Sequence, residues 1–330
     1  MNVVNLIDRI VNDLKSNKNY YSYRHALIVG ENNSGKSKVI KGIINKLKDS
    51  KEYKDKIYFI DSKNRRITVE ISGFTKLSDL KTHDIIENRV DDKNFNKEDV
   101  FLGNHKSEVI LNELIENSEE YKELLKNILD VDFRTSQDRG SENDEEEYVF
   151  ATSDDKDGIE IYLNDESLYK LSDALQARLR MLVEVNFASK AGCELILIDE
   201  LDMNLDHKNS GIFIEKLKEK YSNIRFIVSA HSLYTVQKTK DFDVIKIIKS
   251  YESVDKNPYQ IFDGNDLNDI ESIDKNIFNT NRFEDEKDIA LSNLVKDCIS
   301  GRKVSLDDID ENSLSIRQKV IYRFIEERSK

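Results

Sequence analysis

The chain has 330 residues, of which 35% are charged and 38% hydrophobic, and its formal net charge is −13. This length allows one large domain or two smaller ones with a sizeable core, and 8% aromatic residues indicate a globular rather than a disordered chain. The acidic balance argues against non-specific binding to nucleic acid or to anionic membranes, although it leaves room for a local basic strip.

The first residues are predicted to form an amphipathic helix, because Val3, Ile7, Ile10, Val11 and Leu14 recur at helical spacing. Polar residues interrupt this stripe, so we expect no signal peptide. No window of the sequence approaches the roughly 20 apolar residues that span a bilayer. The two cysteines are expected to be small core residues in a reducing compartment. We therefore expect a cytoplasmic protein without a membrane partner.

Strands and helices alternate in two stretches of the chain, which predicts a single α/β domain with a core formed by 1–75 and 158–250. The segment 76–157 is predicted to be a mainly helical insert with an acidic solvated loop, and 251–330 a helical C-terminal extension. The core is predicted to contain strands at 26–29, 57–60, 67–71, 159–163, 195–198, 224–228 and 244–248, and helices at about 36–48, 173–189 and 212–221.

The segment from Gly30 to Ser37 fits the pattern G-x-x-x-x-G-K-[ST] and lies between a predicted strand and a predicted helix. Glycines allow backbone N–H groups to turn toward phosphate oxygens, and the N-terminus of the following helix favours an anion. In this pattern Lys36 reaches the β- and γ-phosphates of ATP, and Ser37 offers its hydroxyl to Mg²⁺. The predicted nucleotide ligands are Gly30, Glu31, Asn32, Asn33, Ser34, Gly35, Lys36, Ser37 and Lys38.

Two acids, Asp199 and Glu200, end the strongly apolar strand predicted at 195–198. Asp199 is the candidate Mg²⁺ ligand, directly or through water, and Glu200 is the candidate base for the attacking water. Alternatively, the two acids only cap a strand end. His231 follows the next predicted strand, where it would polarise the γ-phosphate or serve as an ordinary surface or core histidine. The predicted catalytic residues are Lys36, Glu200 and His231.

The order of these motifs resembles that of the ABC-type ATPases. After the phosphate loop come Asp199-Glu200, then Leu205-Asp206 in the place of the family's D-loop, and His231 in the place of its switch histidine. Over about 24–75 and 158–250 the chain is similar to the soluble SMC-, RecF- and OLD-like members and to small ATPases of bacterial anti-phage systems. The resemblance implies that ATP is sandwiched between two copies, in a homodimer or a higher homo-oligomer, with Asp206 at the nucleotide.

The family's signature, Leu-Ser-Gly-Gly-Gln, is only partly matched. Leu171, Ser172, Arg178 and Leu179 fit the expected segment, whereas both glycines and the glutamine are replaced. Ser172 either contacts phosphate or only caps the following helix. No glutamine occurs between residues 37 and 136, so the Mg²⁺ and water contact that the family's Q-loop makes is missing or comes from another residue.

The resemblance implies an ATPase that uses ATP and Mg²⁺ and acts as a nucleotide-gated switch. Its ATP-driven oligomer would control a separately encoded effector, as in bacterial phage defence; this step is analogy at the level of the family. A RecF-like ATPase that clamps DNA during repair or recombination is the alternative, and the acidic charge counts against it. A transporter nucleotide-binding subunit and a pseudo-ATPase scaffold are lesser alternatives.

Overall fold

The fold is taken from a computed structural model of the chain. It describes residues 3–16, 25–62, 67, 76–101, 108–138, 160–203, 205, 207–248, 259–267, 270–278, 286–300, 302, 304–306, 309–314 and 316–329. The chain divides into two compact units, residues 1–273 and 274–330. None of the described helices is both long enough and apolar enough to cross a bilayer.

The first unit has an α/β fold, as the alternation of strands and helices in the sequence predicted. Its strands are β1 (Ala26–Val29), β2 (Ile57–Ile60), β3 (Phe133–Thr135), β4 (Ile161–Leu163), β5 (Glu166–Ser167), β6 (Leu195–Ile198), β7 (Arg225–Ser229), β8 (Asp243–Ile247) and β9 (Tyr259–Asp263). Its helices are α1 (Val3–Ser16), α2 (Lys36–Leu47), α3 (Thr82–Val90), α4 (Glu108–Glu116), α5 (Ser118–Leu129), α6 (Asp173–Lys190), α7 (His207–Lys220), α8 (Leu233–Lys238) and α9 (Ile270–Ile273).

Among the described residues, the main sheet has six strands in the order β2-β6-β7-β1-β8-β9. The first five strands run parallel, and β9 is antiparallel to β8. Strands β1, β2 and β6 are buried along their whole length, which explains why they are uninterrupted apolar runs in the sequence. The carboxyl ends of the parallel strands share one edge, and β1, β6 and β7 lead there into the predicted site residues.

The core on one side of this sheet is formed by α1 and α2. Their buried side chains pack together with those of β1, β2, β6, β7 and β8 in one cluster. The two helices approach closely where Gly42 faces Ile7, since a Cβ at Gly42 would lie 2.4 Å from Ile7 Cδ1. This packing supports α2 on the side that faces α1 and so fixes the helix that follows the predicted phosphate loop.

Strand β9 was not predicted, because the sequence indicated only helices after about residue 250. Its residues are half-buried or exposed, as an edge strand allows, so they lack the apolar run that identified the central strands. Among the other predicted elements, the strand at 67–71 lies outside the described residues except for Ile67. The acidic loop at 137–147 lies outside them after Asp138.

A second, antiparallel sheet comprises three strands in the described part of the chain, in the order β3-β4-β5. Its first strand follows α5, and its last strand precedes the turn that leads into α6. The unit 274–330 contains a π-helical turn and two longer helices, α10 (Glu286–Ile299) and α11 (Ile316–Ser329). Leu291, Leu314 and Ile325 form its small apolar cluster.

Candidate functional site

The predicted phosphate loop connects β1 to α2 and carries three left-handed or otherwise positive backbone φ angles. These are 150° at Gly30, 62° at Asn33 and 102° at Gly35. Glycine and asparagine are the residues that adopt such angles most readily. The loop is closed by a hydrogen bond from the Ser34 N–H to the Glu31 carbonyl, at 3.2 Å. The segment therefore forms a compact loop between β1 and α2.

Two features of this loop concern Gly30 and Ser34. A Cβ at Gly30 would lie 2.7 Å from the Ile247 carbonyl oxygen and 2.8 Å from Ser34 Oγ, so only glycine fits this close approach of the loop to β8. Ser34 Oγ is buried and has no hydrogen-bond partner among the described residues. An unpaired buried hydroxyl is costly, and a polar group of a ligand would satisfy it.

Lys36 begins α2 and is only 5% exposed. Its ammonium group donates to the carbonyls of Gly30 at 2.8 Å and Glu31 at 3.0 Å, and it lies 3.3 Å from His231 Nδ1. The lysine thus points back into the loop and toward the end of β7. Ser37 is half-buried on the same first turn, whereas Glu31, Asn32, Asn33 and Lys38 are exposed.

The end of β6 is held to the end of β7 through Ser229. Its hydroxyl donates to Asp199 Oδ1 at 2.5 Å and accepts the Glu200 N–H at 2.7 Å. Asp199 is fully buried, and Glu200 is half-buried with a left-handed φ of 51°. A non-glycine residue held in this conformation by its neighbours is typical of functional sites.

His231 lies between two of the other predicted catalytic groups. Its Nδ1 faces Lys36, and its Nε2 lies 3.9 Å from Glu200 Oε1. Because an ammonium group can only donate, Nδ1 is the acceptor, and the proton of a neutral ring then sits on Nε2, toward Glu200. The fold therefore brings Lys36, His231 and Glu200 together at the carboxyl edge of the sheet.

Asp202 is a residue of this site that the sequence analysis missed. It is 8% exposed, and its Oδ2 accepts the N–H groups of His231 at 2.7 Å and Ser232 at 2.6 Å. The Ser232 hydroxyl in turn accepts the Tyr234 N–H and caps α8. Asp202 thus fixes the turn that presents His231. In the sequence, an aspartate three residues after Asp199 does not by itself indicate a role at the site.

We expect Asp202→Ala to reduce the free energy of unfolding by about 1–3 kcal/mol, because it leaves one buried and one partly buried N–H group without their acceptor. Asp202→Asn should cost less, since its amide oxygen still accepts. Urea unfolding of both variants measures the difference. The matched control is Asp241→Ala, which removes an exposed carboxylate paired with Lys218. Equal stabilities of Asp202→Ala and the control would contradict this role for Asp202.

Ser172 is not part of the group at the sheet edge. It is exposed at the start of α6, and its hydroxyl accepts the Leu175 N–H at 3.3 Å. No hydrogen bond of the described residues joins it to Lys36, Glu200 or His231. The neighbouring glutamine, Gln176, is buried and bonds inward, to the carbonyls of Leu168 and Leu171 and to the Ile67 N–H. The predicted ligand Asp206 lies outside the described residues.

A buried ion cluster lies beside the carboxyl end of β2. Arg89 Nη1 donates to Glu184 Oε2 at 2.7 Å, and its Nε lies 3.7 Å from Asp61 Oδ2. Arg180 donates to the other oxygen of Glu184 at 3.0 Å and to Asp99 at 2.5 Å. The cluster therefore ties α3 and α6 to the end of β2 and to the segment that contains Asp99.

The pKa values of the two central acids in this cluster shift in opposite directions. Burial raises the pKa of Asp61 to about 6, although Arg89 and Arg180 oppose the shift. Burial also favours the neutral form of Glu184, but the two arginines outweigh it and lower the pKa of Glu184. Glu184 is therefore the ionised partner that both arginines share.

A scan against protein-family models gave no match for this chain, and a search of curated proteins gave none either. A function can therefore be inferred only from the geometry of the site and from the sequence motifs.

Proposed function

We propose that this chain binds ATP together with Mg²⁺ and hydrolyses the ATP to ADP and phosphate, as a P-loop NTPase of the ABC type. The main observation behind the proposal is that the side chains of Lys36, His231 and Glu200 lie together at one edge of a parallel sheet. Lys36 and His231 are 195 residues apart in the sequence. Three groups with complementary roles in phosphoryl transfer therefore come together only through the fold.

The interior of the phosphate loop fits a phosphate group. The Ser34 hydroxyl is buried and has no hydrogen-bond partner among the described residues, so it has a hydrogen bond to offer. The Lys36 ammonium group lies at the same loop and supplies positive charge. The N-terminus of α2 adds the favourable end of its helix dipole. Each of these features favours an anion with several acceptor oxygens.

The residues proposed to hold Mg²⁺ are Ser37 and Asp199, whose hydroxyl and carboxylate oxygens are the hard ligands that this ion prefers. When bound, Mg²⁺ supplies positive charge that offsets the negative charge of the phosphates. Glu200 accepts the proton of the attacking water, while Lys36 and His231 stabilise the charge on the transferred phosphoryl group. Asp202 holds the turn that carries His231.

We further propose that ATP joins two or more copies of the chain into an oligomer that controls a separately encoded effector. Ser172 supports this step, because it is exposed at the start of an 18-residue helix and makes no described hydrogen bond to its own chain's catalytic group. A helix start of this kind suits the phosphate of an ATP held by a second copy. Phage defence is the proposed setting, by the family resemblance alone.

Phosphate release by the purified chain tests the reaction, with ATP and Mg²⁺ present and with EDTA as the control. We expect release that needs the metal. The absence of release above the EDTA control would contradict the ATPase proposal. Mass measurement by light scattering tests the switch, and an unchanged mass at saturating ATP would contradict it while leaving ATP binding in place.

A further inference from the structure

Asn96 lies at the same edge of the sheet, although neither the sequence motifs nor the proposed chemistry assigned it a role. It follows α3 in a stretch of turns and has a left-handed φ of 53°. Asparagine is among the few residues other than glycine that adopt this conformation at low cost. Its backbone therefore suits the turn, and its side chain points to two neighbours across the fold.

Both polar atoms of the Asn96 side-chain amide form hydrogen bonds. The Nδ2 group donates to Asp199 Oδ2 at 2.7 Å, and Oδ1 accepts the Ser62 N–H at 3.2 Å. A carboxylate can only accept and a backbone N–H can only donate, so the two contacts define the orientation of the amide. Asn96 thus links the residue after β6 to the end of β2.

The Asp199 carboxylate is consequently held from two sides. Ser229 donates to one oxygen and Asn96 to the other, and the aspartate is fully buried. Each of these two hydrogen bonds restricts the rotation of the carboxylate about χ2. The two contacts therefore set the plane in which Asp199 presents its remaining lone pairs.

The segment that carries Asn96 is itself anchored at several points. The Phe95 ring stacks on Phe59 with centroids 5.7 Å apart, Asp99 pairs with the buried Arg180, and Arg89 Nε donates to the Val100 carbonyl at 3.0 Å. These contacts reach β2, α6 and α3. The position of Asn96 is therefore fixed by the core and does not depend on the turn alone.

We propose that Asn96 is a positioning residue that orients Asp199 toward Mg²⁺. This inference rests on the proposed function, in which Asp199 holds the metal. Partners that orient metal ligands are worth about 10–100-fold in metal affinity or activity when they are removed. A purely structural role would lower stability without a selective effect on the metal, so the two readings differ in a measurable way.

The test uses Asn96→Gly, which keeps the left-handed backbone and removes the side chain with its amide. Mn²⁺, a spectroscopic substitute for Mg²⁺, is titrated against the complex of the full chain with ADP, and free Mn²⁺ is followed by electron paramagnetic resonance. We expect Mn²⁺ affinity to fall by about 10–100-fold. ADP affinity measured in EDTA should stay unchanged. Asn96→Ala, which also removes the donor without adding a charge, should act in the same direction.

The matched control is Asn94→Ala, which removes an amide of the same segment that bonds to Asn88 and makes no described contact with Asp199. Wild-type Mn²⁺ affinity in Asn96→Gly, or an equal loss in Asn94→Ala, would overturn the inference. If Asn96→Gly fails to fold, wild-type Mn²⁺ affinity in Asn96→Ala would overturn it instead. If the unaltered chain binds ADP but no variant changes the Mn²⁺ affinity, only the role assigned to Asn96 is wrong. If the unaltered chain binds no nucleotide, the proposed function fails with it.

Discussion

Glu200→Gln should lower the rate of ATP hydrolysis by about 10²–10⁴-fold, the usual effect of removing a general base. The amide has nearly the same shape as the carboxylate but cannot accept a proton from water. Glu200 is well placed for this role, because its backbone is held in a left-handed conformation and Oε1 lies 3.9 Å from His231 Nε2. Phosphate release at saturating ATP measures the loss directly.

The same variant should retain ATP binding, since Lys36 and the phosphate loop are unchanged. We therefore expect it to accumulate the ATP-bound oligomer, which light scattering would detect as a higher mass than that of the unaltered chain. The control is Glu194→Gln, an exposed glutamate before the other end of the same strand, paired with Lys56. Turnover in Glu200→Gln equal to that of the control would remove Glu200 as the base.

Lys36→Ala should abolish measurable ATP binding. The ammonium group already donates to two carbonyls of the phosphate loop, and in the proposed complex it donates to phosphate oxygens. A hydrogen bond to a charged group contributes about 1.5–3 kcal/mol, so two such bonds correspond to roughly 10²–10⁴-fold in affinity. Equilibrium binding of a fluorescent ATP analogue measures this loss.

The matched control for this variant is Lys46→Ala, at the far end of the same helix. Lys46 is partly exposed and pairs with Asp8 on α1. Exposed ion pairs contribute at most about 1 kcal/mol to stability, so this control should fold and bind ATP normally. If Lys36→Ala folds and binds ATP with the affinity of the control, the assignment of the phosphate loop is wrong.

The sequence predicted the parts of the fold that have strong local patterns. The apolar runs of β1, β2 and β6 identify strands that are buried on both faces. The observed first and last residues of α2 and α6 differ from the predicted ones by only a few residues. In contrast, β9 is an edge strand of mixed polarity, so its pattern resembles that of an exposed loop. Local periodicity therefore predicted the buried elements better than the exposed edge.

The same difference applies to the candidate site. Lys36, Glu200 and His231 were predicted because each ends a strand or begins a helix in a known pattern, and the fold brings them together. Asp202 and Asn96 were missed, because their roles exist only through contacts across the fold. Asn96 and Asp199 are 103 residues apart, and nothing near Asn96 in the sequence marks it. Contacts of this kind depend on the topology of the sheet.

The proposed function depends on the claim that the Gly30–Ser37 loop binds ATP. Isothermal titration calorimetry of the unaltered chain with ATP and Mg²⁺ measures this binding. We predict saturable binding of one ATP per chain, which Lys36→Ala abolishes and Lys46→Ala preserves. The absence of saturable binding by the folded, unaltered chain, or equal binding by Lys36→Ala, would contradict the claim.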